Sequence, residues 1–560
     1  MEAPTISGLL RTLLARRGIE SQAAIDAFLY PDYAAHTHSP FLLNGMQKAV
    51  DRVLRSIVDN KHIAVYADFD CDGIPGASIL SDFFRKIGYE NFEVYLPHRD
   101  REGYGFHKEA INTLASRGVS LIITVDVGTV AHEGIAHANE KEIDVIVTDH
   151  HEIMGKLPDA YAILNPKIPE YPFPDLCGAA VAFKLVQALL QEGRQREIPA
   201  FSAIPDGWEK WLLDLVAIAT VADMVPLLGE NRALAFWGLQ VLRKSPRPGI
   251  SALCARLRLK KSELSEDDIG FSIAPRINAA SRMDEPDLAF RLLTTRDHQE
   301  ADHLTAQLES LNASRKGIVA GIVKSARKSV RERFAASEKV VVLGNPEWKP
   351  ALLGLAANSI MEERGGVVCL WGRDGNGTLK GSCRSDGTIP LPDLFSKARE
   401  SFVECGGHNA SGGFTVTHEQ VHTLPEVLRA IAEALPETLR ESTDNEEELR
   451  VTLREISLPL YSELSHLAPF GIGNKKPVLR ISRVAVVTVR QFGKENNHIE
   501  LMLRDGNNTT VRGFDFFRSR DDFSFVPHEN EIVDVLATLE RDTFRSPERF
   551  ALRLIDILSA

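Results

Sequence analysis

The clearest pattern along the chain is a series of short, almost uninterrupted apolar runs that each stop at acidic or imidazole side chains. KHIAVYADFDCDG carries the first run, which breaks at Asp68, Asp70 and Asp72. VSLIITVDVGT carries the second and ends at Asp126, and EIDVIVTDHHE carries the third and ends at Asp149, His150 and His151. After a turn at Gly73, Ile79, Leu80, Phe83, Phe84 and Ile87 recur at helical spacing. Near-continuous Val/Ile runs alternating with helices are what parallel strands covered on both faces look like. The pattern predicts a doubly wound parallel-sheet core over roughly residues 46–245, inside a domain of residues 46–296.

Downstream the period changes. Leu304, Leu308, Leu311, Ile318 and Ile322 lie close to one helical stripe, which predicts a long connecting helix over 297–337. The segments KVVVLG, GGVVCLWG, KGSCRS and GGHNASGGFTV predict a second α/β domain over 338–445. Past Pro459, Pro469 and Pro477 the runs LRISRVAVVTVRQFG, HIELMLRDG, TTVRGFDFF and EIVDVLATLERD are short, alternating and bounded by turn residues. They predict a small β-barrel within 446–560. Residues 1–45 read as a leader packing on the core.

Composition narrows the class. A chain of 560 residues, 44% hydrophobic and 25% charged, is globular and too long for one core. Arg11, Arg16 and Arg17 interrupt the N-terminal apolar residues, and no later stretch approaches the roughly 18 uncharged apolar residues of a membrane span. The expected location is cytoplasmic, without membrane contact. Six cysteines lie far apart with no Cys-x-x-Cys pair, so neither a disulfide framework nor a zinc knuckle is suggested and most are expected to be buried reduced thiols.

A formal net charge of -12 argues, taken alone, against a nucleic-acid partner. Its distribution argues otherwise, because Lys475 to Arg520 holds ten basic residues against four acidic ones. A second basic run extends from Arg315 to Arg333. Either run by itself also fits a solvated face. Within the first, Phe492, Phe514, Phe516 and Phe517 are interleaved with cations, including Arg490, Lys494 and Arg512. Single-strand binders combine a positive groove with aromatic faces on which bases stack, at roughly 1–3 kcal/mol per base. Phe514, Phe516 and Phe517 cannot all point one way along a strand, so at least one is expected in the core.

The chemistry concentrates at the ends of the apolar runs. Three carboxylates as close as Asp68, Asp70 and Asp72 repel unless a cation holds them, and an extended segment sends alternate side chains to the same side. Asp126, Asp149, His150 and His151 end the next two strands, and Asp223 in ATVADMVPL follows an apolar helix. Ligands of open parallel sheets bind beyond the carboxyl ends of the strands, so these groups should converge. Mixed carboxylate and imidazole donors suit Mn²⁺, or Mg²⁺ with more water retained. So many ligands point to two ions about 3.5–4 Å apart, an arrangement that activates water against a phosphoryl group.

The four clusters in this order, DFDCDG, VDVGT, DHH at Asp149 to His151, and VADMVPL, resemble the motifs of the DHH phosphoesterases. LCGAAVAFKL, GENRALAFWGL, PRINAASRMDEP and ARRGIESQAAIDAFLYP extend the resemblance to the RecJ single-strand exonucleases of that superfamily, as do KGSCRS, GGHNASGGFTV and LAPFGIGNKKPV, nearly end to end. The resemblance implies a DHH domain, a DHH-associated domain and an oligonucleotide-binding (OB) barrel. It implies a 5′-to-3′ exonuclease that hydrolyses single-stranded DNA processively with two Mn²⁺ or Mg²⁺ ions, in recombination and repair. It further implies that Asp70, Asp72, Asp126, His150 and Asp223 bind the metals, with Asp68 and His151 in the same site and His151 also turned to the scissile phosphate. Asp126, His151 and His408 are then the catalytic set. Ser382, Arg384 and His408 face the site from the associated domain, and Arg99 and Arg276 from the first. Arginine forks fit phosphate oxygens bidentately, so Arg276 and Arg384 are expected to hold a terminal 5′ phosphate.

Four positions depart from the family pattern: Pro75 in place of Thr or Ser, Ser281 in place of Gly, and Lys349 and Ala351 where His and Gly are usual. They bear on turn geometry and substrate contacts. Two rival readings stay open, a phosphodiesterase for short oligoribonucleotides or cyclic dinucleotides, and an inert scaffold of the kind that serves replication helicases. A monomer is expected. A single-strand-binding protein and a helicase are the candidate protein partners beside single-stranded DNA.

Overall fold

The apolar runs form neighbouring strands of one parallel sheet. A computed structural model describes residues 7–335, 337–435, 449–493, 496–542 and 549–560. Strands β1 (Ile63–Ala67), β2 (Phe92–Tyr95), β3 (Leu121–Val125), β4 (Asp144–Thr148) and β5 (Ala162–Leu164) lie in the order β2-β1-β3-β4-β5, every pair parallel. All residues of β1 and β3 are buried, which is why these strands read as unbroken apolar runs instead of alternating. The chain leaves β1 in one direction to form β2 and returns on the other side as β3. Strand order therefore reverses between β1 and β3, and a crevice opens beyond their carboxyl ends.

Helix Gly73–Lys86 follows β1 directly and is buried along most of its length, packed against Gly178–Gln195 and Leu213–Ala222. Pro75 falls in its first turn, where a missing N–H removes no helical hydrogen bond, so this departure is tolerated. Arg247 fixes the layer from behind. Its guanidinium contacts Asp214 at 2.8 Å and Asp82 at 2.6 Å, and Asp214 also accepts from Ser245 at 2.7 Å.

The connecting helix runs over His298–Arg333, capped by the Asp297 carboxylate, which accepts from the N–H groups of Gln299 and Glu300. Its buried face is not one stripe. Leu304 and Leu308 are buried in its first half, while Ile322, Val323 and Ala326 join Val341, Leu343 and Leu352 in a separate core. Ile318, expected on the stripe, is exposed between them because the helix serves two cores in turn.

Strands β6 (Val340–Gly344), β7 (Val367–Arg373), β8 (Leu379–Ser385), β9 (Glu404–Gly407) and β10 (Ser411–Val416) form a second sheet in the order β6-β7-β8-β10-β9, parallel only between β6 and β7. Four of the six cysteines carry free thiols, in line with the expectation for most of them, and the other two do not. The β7–β8 register sets Cys369 directly opposite Cys383, and the two are joined by a disulfide. Such a pairing is set by register, so cysteine spacing could not announce it.

These elements belong to one compact unit, Thr37–Val225 with Trp237–Glu441. The described parts of Met1–His36, Pro226–Phe236 and Ser442–Ala560 form another. There β11 (Leu449–Arg450), β12 (Leu479–Phe492), β13 (His498–Arg504), β14 (Thr510–Phe516), β15 (Ile532–Asp542) and β16 (Arg549–Ser559) lie in the order β11-β12-β13-β14-β16-β15, and pairing of β12 with β15 closes a barrel. Closure removes exposed sheet edges. The core on which the leader packs is that of the barrel, since Leu10, Leu13, Leu14, Ile25, Phe28 and Leu29 share a cluster with Ile481, Leu501 and Val535. Buried Arg232 ties this unit together by donating to the carbonyls of Phe28, Leu467, Ala468 and Pro469. Among the described residues no helix is long and apolar enough to cross a membrane.

Replacing Arg247 by Leu would leave the fully buried Asp214 carboxylate without its cation. A loss on the order of 3–5 kcal/mol is expected, seen as a clear drop in the thermal unfolding midpoint; an unchanged midpoint would contradict this role.

Candidate metal centre and nucleic-acid surface

Strand register brings the acidic clusters together. Ala67 pairs with Val125 and Val125 with Thr148, so Asp68, Asp126 and Asp149 leave three adjacent strands side by side in the crevice. The first cluster gathers differently from the expected alternation along an extended segment. β1 stops at Ala67; Asp70 Oδ1 accepts from the N–H groups of Asp72 and Gly73 in a tight turn, and Asp72 stands at the N-cap position of the following helix with its side chain turned elsewhere. Both Asp72 oxygens then accept from the first turn of helix Gly178–Gln195, from Gly178 N–H at 2.6 Å and Ala179 N–H at 2.7 Å. A helix N-terminus is a ready anion site. Asp126 adopts φ of +60°, uncommon for a residue with a side chain, and Gly178 permits it: a Cβ there would lie 2.7 Å from Asp126 Cβ.

Three sets of donors lie close enough to share an ion: Asp126, His150 and His151; Asp72, His150 and Asp223; and Asp68, Asp70 and Asp126. Within each set the ligand atoms are all within 4.8 Å of one another. His150 Nε2 lies 3.2 Å from Asp126, 3.5 Å from Asp223 and 3.7 Å from Asp72. Asp126 is common to two of these sets, and His150 likewise to two. The Oδ1 atoms of Asp126 and Asp68 are buried without a hydrogen-bond partner, as expected of atoms that await a cation.

Electrostatics agree. Burial, followed by repulsion from Asp70, pushes Asp72 up to about 7, and burial with repulsion from Asp72 and Asp70 pushes Asp223 up to about 9. Asp68 and Asp126 are raised well above the carboxylate range, first by burial and then by neighbouring aspartates. Burial, then the neighbouring His151, pulls His150 down to about 4, which leaves a neutral imidazole fit to ligate.

Asp149, although it begins the DHH motif, serves differently. It takes His151 Nδ1 at 2.8 Å and the N–H groups of His150, His151 and Thr129. Burial works to raise it, but the His151 and Thr129 hydrogen bonds hold it well below the ordinary range. Burial alone would lower His151, and Asp149 raises it instead, so this imidazole carries positive charge more readily than its neighbour. Tyr104, which sequence reasoning missed, sets its hydroxyl 3.3 Å from His151 Nδ1 and 3.3 Å from the Asp126 carbonyl.

Beside the carboxylates stands a cluster of arginines. Arg282 is half-buried, donates to the Ala351 carbonyl at 2.8 Å, and is pulled down to about 9 by desolvation and then by the charges of Arg99, Arg315 and Arg384. Arg384, in β8 beside Ser382, is lowered by burial and by Arg99. Gly354 makes room for it, since a Cβ there would lie 2.6 Å from its Nη2. Arg99 lies 4.8 Å over the Phe69 ring. The expected Arg276 departs from this group. Its fork closes on Glu309 at 3.0 and 3.4 Å, whereas Arg282, six residues on, feels the charges of Arg99 and Arg384. His408 sits exposed at the β9–β10 turn, and its charge reaches Glu152, next to His151. The departures Lys349 and Ala351 are built in: Lys349 pairs with Asp100 at 2.8 Å, and Ala351 supplies the carbonyl that holds Arg282. Ser281 is buried in its helix and donates to the Asn278 carbonyl.

On the barrel, none of the four phenylalanines is core, contrary to expectation. Phe492 and Phe514 are half-buried, and Phe516 and Phe517 are 38% and 80% exposed. Val511 and Asp515 take the inward positions of β14 around Gly513, and Phe517 lies past the strand's end with φ of +59°. Phe492, Phe516 and Phe517 pack edge-on around His498, and Phe514 packs on Phe516, with the Arg512 and Arg553 guanidinium groups over Phe514. Arg490 is 70% exposed, whereas Arg512 is held by Glu500 at 2.5 Å and Asp542 at 2.8 Å. Lys494 lies outside the described residues.

A carboxylate whose folded pKa exceeds its unfolded value favours the folded state at low pH, and that contribution fades as pH rises through the folded value. With chelator present, the unfolding midpoint should fall as pH rises through about 7 and on towards about 9, the values of Asp72 and Asp223. Excess Mn²⁺ should raise the midpoint by several degrees more at about pH 8 than at about pH 6, because fewer protons must leave. Equal Mn²⁺ shifts at both pH values would contradict this coupling.

Residues 62–220 match the DHH family N-terminal domain, 337–439 the DHHA1 domain and 448–556 the RecJ OB domain. The chain is 34% identical over 506 residues to the single-stranded-DNA-specific exonuclease RecJ of Bacillus subtilis, covering 89% of this chain and 62% of that relative. With the Haemophilus influenzae RecJ it shares 30% identity, covering 83% of this chain and 82% of the relative. The crystal structure of RecJ in complex with Mn²⁺ from Thermus thermophilus superposes with a TM-score of 0.81 at 26% identity, over 99% of this chain and 76% of that one. The motifs, the three domains in order and this breadth of similarity make the chain a member of the RecJ family of single-stranded-DNA-specific exonucleases.

Proposed function

We propose that this chain removes nucleotides processively from the 5′ end of single-stranded DNA by metal-dependent hydrolysis of the phosphodiester bond. The observation that carries this reading is Asp126, buried, strained and shared by two ligand sets in the β1/β3 crevice, with a cluster of mutually repelling arginines beside it. Asp68 and Asp70 would hold one cation with Asp126, and Asp72, His150 and Asp223 the other, and the Gly178 and Ala179 N–H groups fix Asp72 in place. Two Mn²⁺ or Mg²⁺ ions bound there supply an acidified water and neutralise charge on the scissile phosphoryl group.

His151, whose hold on its proton Asp149 strengthens, faces a phosphoryl oxygen, and the Tyr104 hydroxyl lies against its ring. Arg99, Arg282, Ser382 and Arg384 take the terminal 5′ phosphate, whose charge relieves the mutual repulsion of these guanidinium groups. That anchorage sets the polarity, since only a strand entering by its phosphorylated 5′ end satisfies it. His408 approaches the leaving nucleotide from the β9–β10 turn. On the barrel, Phe492, Phe514 and Phe516 stack bases while Arg490 and Lys494 meet phosphates; Arg512 orients Phe514. A di- or trinucleotide has no use for such a surface, which favours long strands over the short-oligonucleotide reading. The full ligand set argues against an inert scaffold. The protein acts in the cytoplasm as a monomer in recombination and repair, on ends exposed by a helicase and coated by a single-strand-binding protein.

Product analysis on 5′- and 3′-labelled single strands with Mn²⁺, Mg²⁺ or chelator tests this. Mononucleotide should be released first from the 5′ label, only with metal, and Asp126→Ala should reduce the rate about a thousandfold or more, since several kcal/mol of charge stabilisation go with the site. Release from the 3′ label first, or an active Asp126→Ala protein, would overturn the reading.

A further inference from the structure

An arginine can take a phosphate only while its charge is free, and Arg99 has a carboxylate, Asp100, as its neighbour in the chain. The Arg99 guanidinium lies 4.8 Å over the ring of Phe69, the residue between Asp68 and Asp70, which sets it at the edge of the metal crevice. It is partly exposed and forms no ion pair within 4.0 Å among the described residues. The acids around its loop, residues 98–104, are all committed elsewhere. Glu102 accepts from the Tyr95 hydroxyl at 2.8 Å and from the His98 N–H at 2.7 Å. Asp284 takes His98 at 3.3 Å and Arg101 at 3.7 Å. Asp100 is held by Lys349 at 2.8 Å, with 19% and 27% of the two side chains exposed, and each is the other's one ion-pair partner among the described residues.

Lys349 is one of the four departures from the family pattern. It opens helix Pro350–Arg364, whose Ala351 carbonyl accepts from Arg282 and whose Gly354 leaves room for Arg384. A short segment thus attends to three of the guanidinium groups assigned to the terminal phosphate. Asn376, in the β7–β8 turn, fastens the same loop by donating to the Arg101 carbonyl at 3.2 Å. We propose that Lys349 is a positioning residue for the terminal-phosphate site: it holds Asp100 away from Arg99 and so reserves that guanidinium for the 5′ phosphate. The inference rests on the exonuclease reading above and deepens it at that phosphate. A carboxylate and a phosphate compete for the same fork of arginine donors, and a carboxylate one residue away is present at a far higher local concentration than any strand end. An ammonium group bound to Asp100 ends the competition without touching the strand. The pair is too exposed to add much to stability, so its removal bears on binding more than on folding.

The readout is the ratio of kcat/KM on a 5′-phosphorylated oligodeoxynucleotide to kcat/KM on the same strand with a 5′-hydroxyl, measured for the full chain with Mn²⁺. Lys349→Met should lower this ratio about tenfold, the scale of one charge-assisted hydrogen bond, chiefly through a higher KM on the phosphorylated strand. Lys349→Arg, which keeps the charge, should retain the ratio. Lys349→Met combined with Asp100→Asn should return to within about twofold of wild type, because the competing carboxylate is gone. Asp100→Asn alone should not lower the ratio. A double variant as low as Lys349→Met would overturn the proposal, since a lysine that only supports the fold is not rescued by loss of its partner. So would a reduced ratio in Asp100→Asn, which carries the test should Lys349→Met not fold. A wild type equally active on both strands would defeat the terminal-phosphate reading and the proposal with it, and this would be seen before any variant is compared.

Discussion

Carboxylates crowded into a buried crevice repel one another, and much of this fold is arranged to impose that crowding. Asp68, Asp70, Asp72, Asp126 and Asp223 meet around His150 where the strand order reverses. Water would relieve the repulsion cheaply, but here most of the oxygens are out of its reach, so protons or cations must do so. The surrounding structure holds the arrangement against relaxation. The N-terminus of helix Gly178–Gln195 grips Asp72, the missing Cβ of Gly178 leaves room for Asp126 against that helix, and the Arg247 network ties the supporting helices together. Affinity for divalent ions is the other side of this destabilisation.

Across the crevice the sign of the charge changes. Burial and the charges of Arg99, Arg315 and Arg384 weaken the hold of Arg282 on its proton, and burial with Arg99 weakens that of Arg384, while burial and neighbouring aspartates raise Asp72, Asp126 and Asp223. A phosphodiester laid between the two sets, with its metals, answers both. This explains how a chain with a net charge of -12 can serve a polyanion: the positive charge that counts is a few guanidinium groups gathered where they repel one another.

The parallel sheet and its acidic strand ends were legible because burial on both faces forces unbroken apolar runs, and the run's end marks the sheet's carboxyl edge. Details that depend on register or helix phase were not. Arg276 and Arg282 stand six residues apart on one helix, and only packing against Glu309 tells which is neutralised. The basic surplus of Lys475–Arg520 overstated the free charge on the barrel. Lys476, Arg480 and Arg512 find Glu540, Asp534 and Asp542 on β15, acids that lie beyond the counted window. Conversely, the aromatic signal understated the face, since the smaller residues flanking Phe514 point inward and Phe517 leaves the strand altogether. Cys369 and Cys383 were invisible as a pair for the same reason, a register that spacing does not encode.

Anomalous diffraction at the manganese edge from crystals of the full chain soaked in Mn²⁺ tests the central claim most directly. Two peaks are predicted, both within reach of Asp126, one beside Asp68 and Asp70 and the other beside Asp72, His150 and Asp223. A crevice with no peak, or with ions bound only elsewhere on the surface, would contradict it.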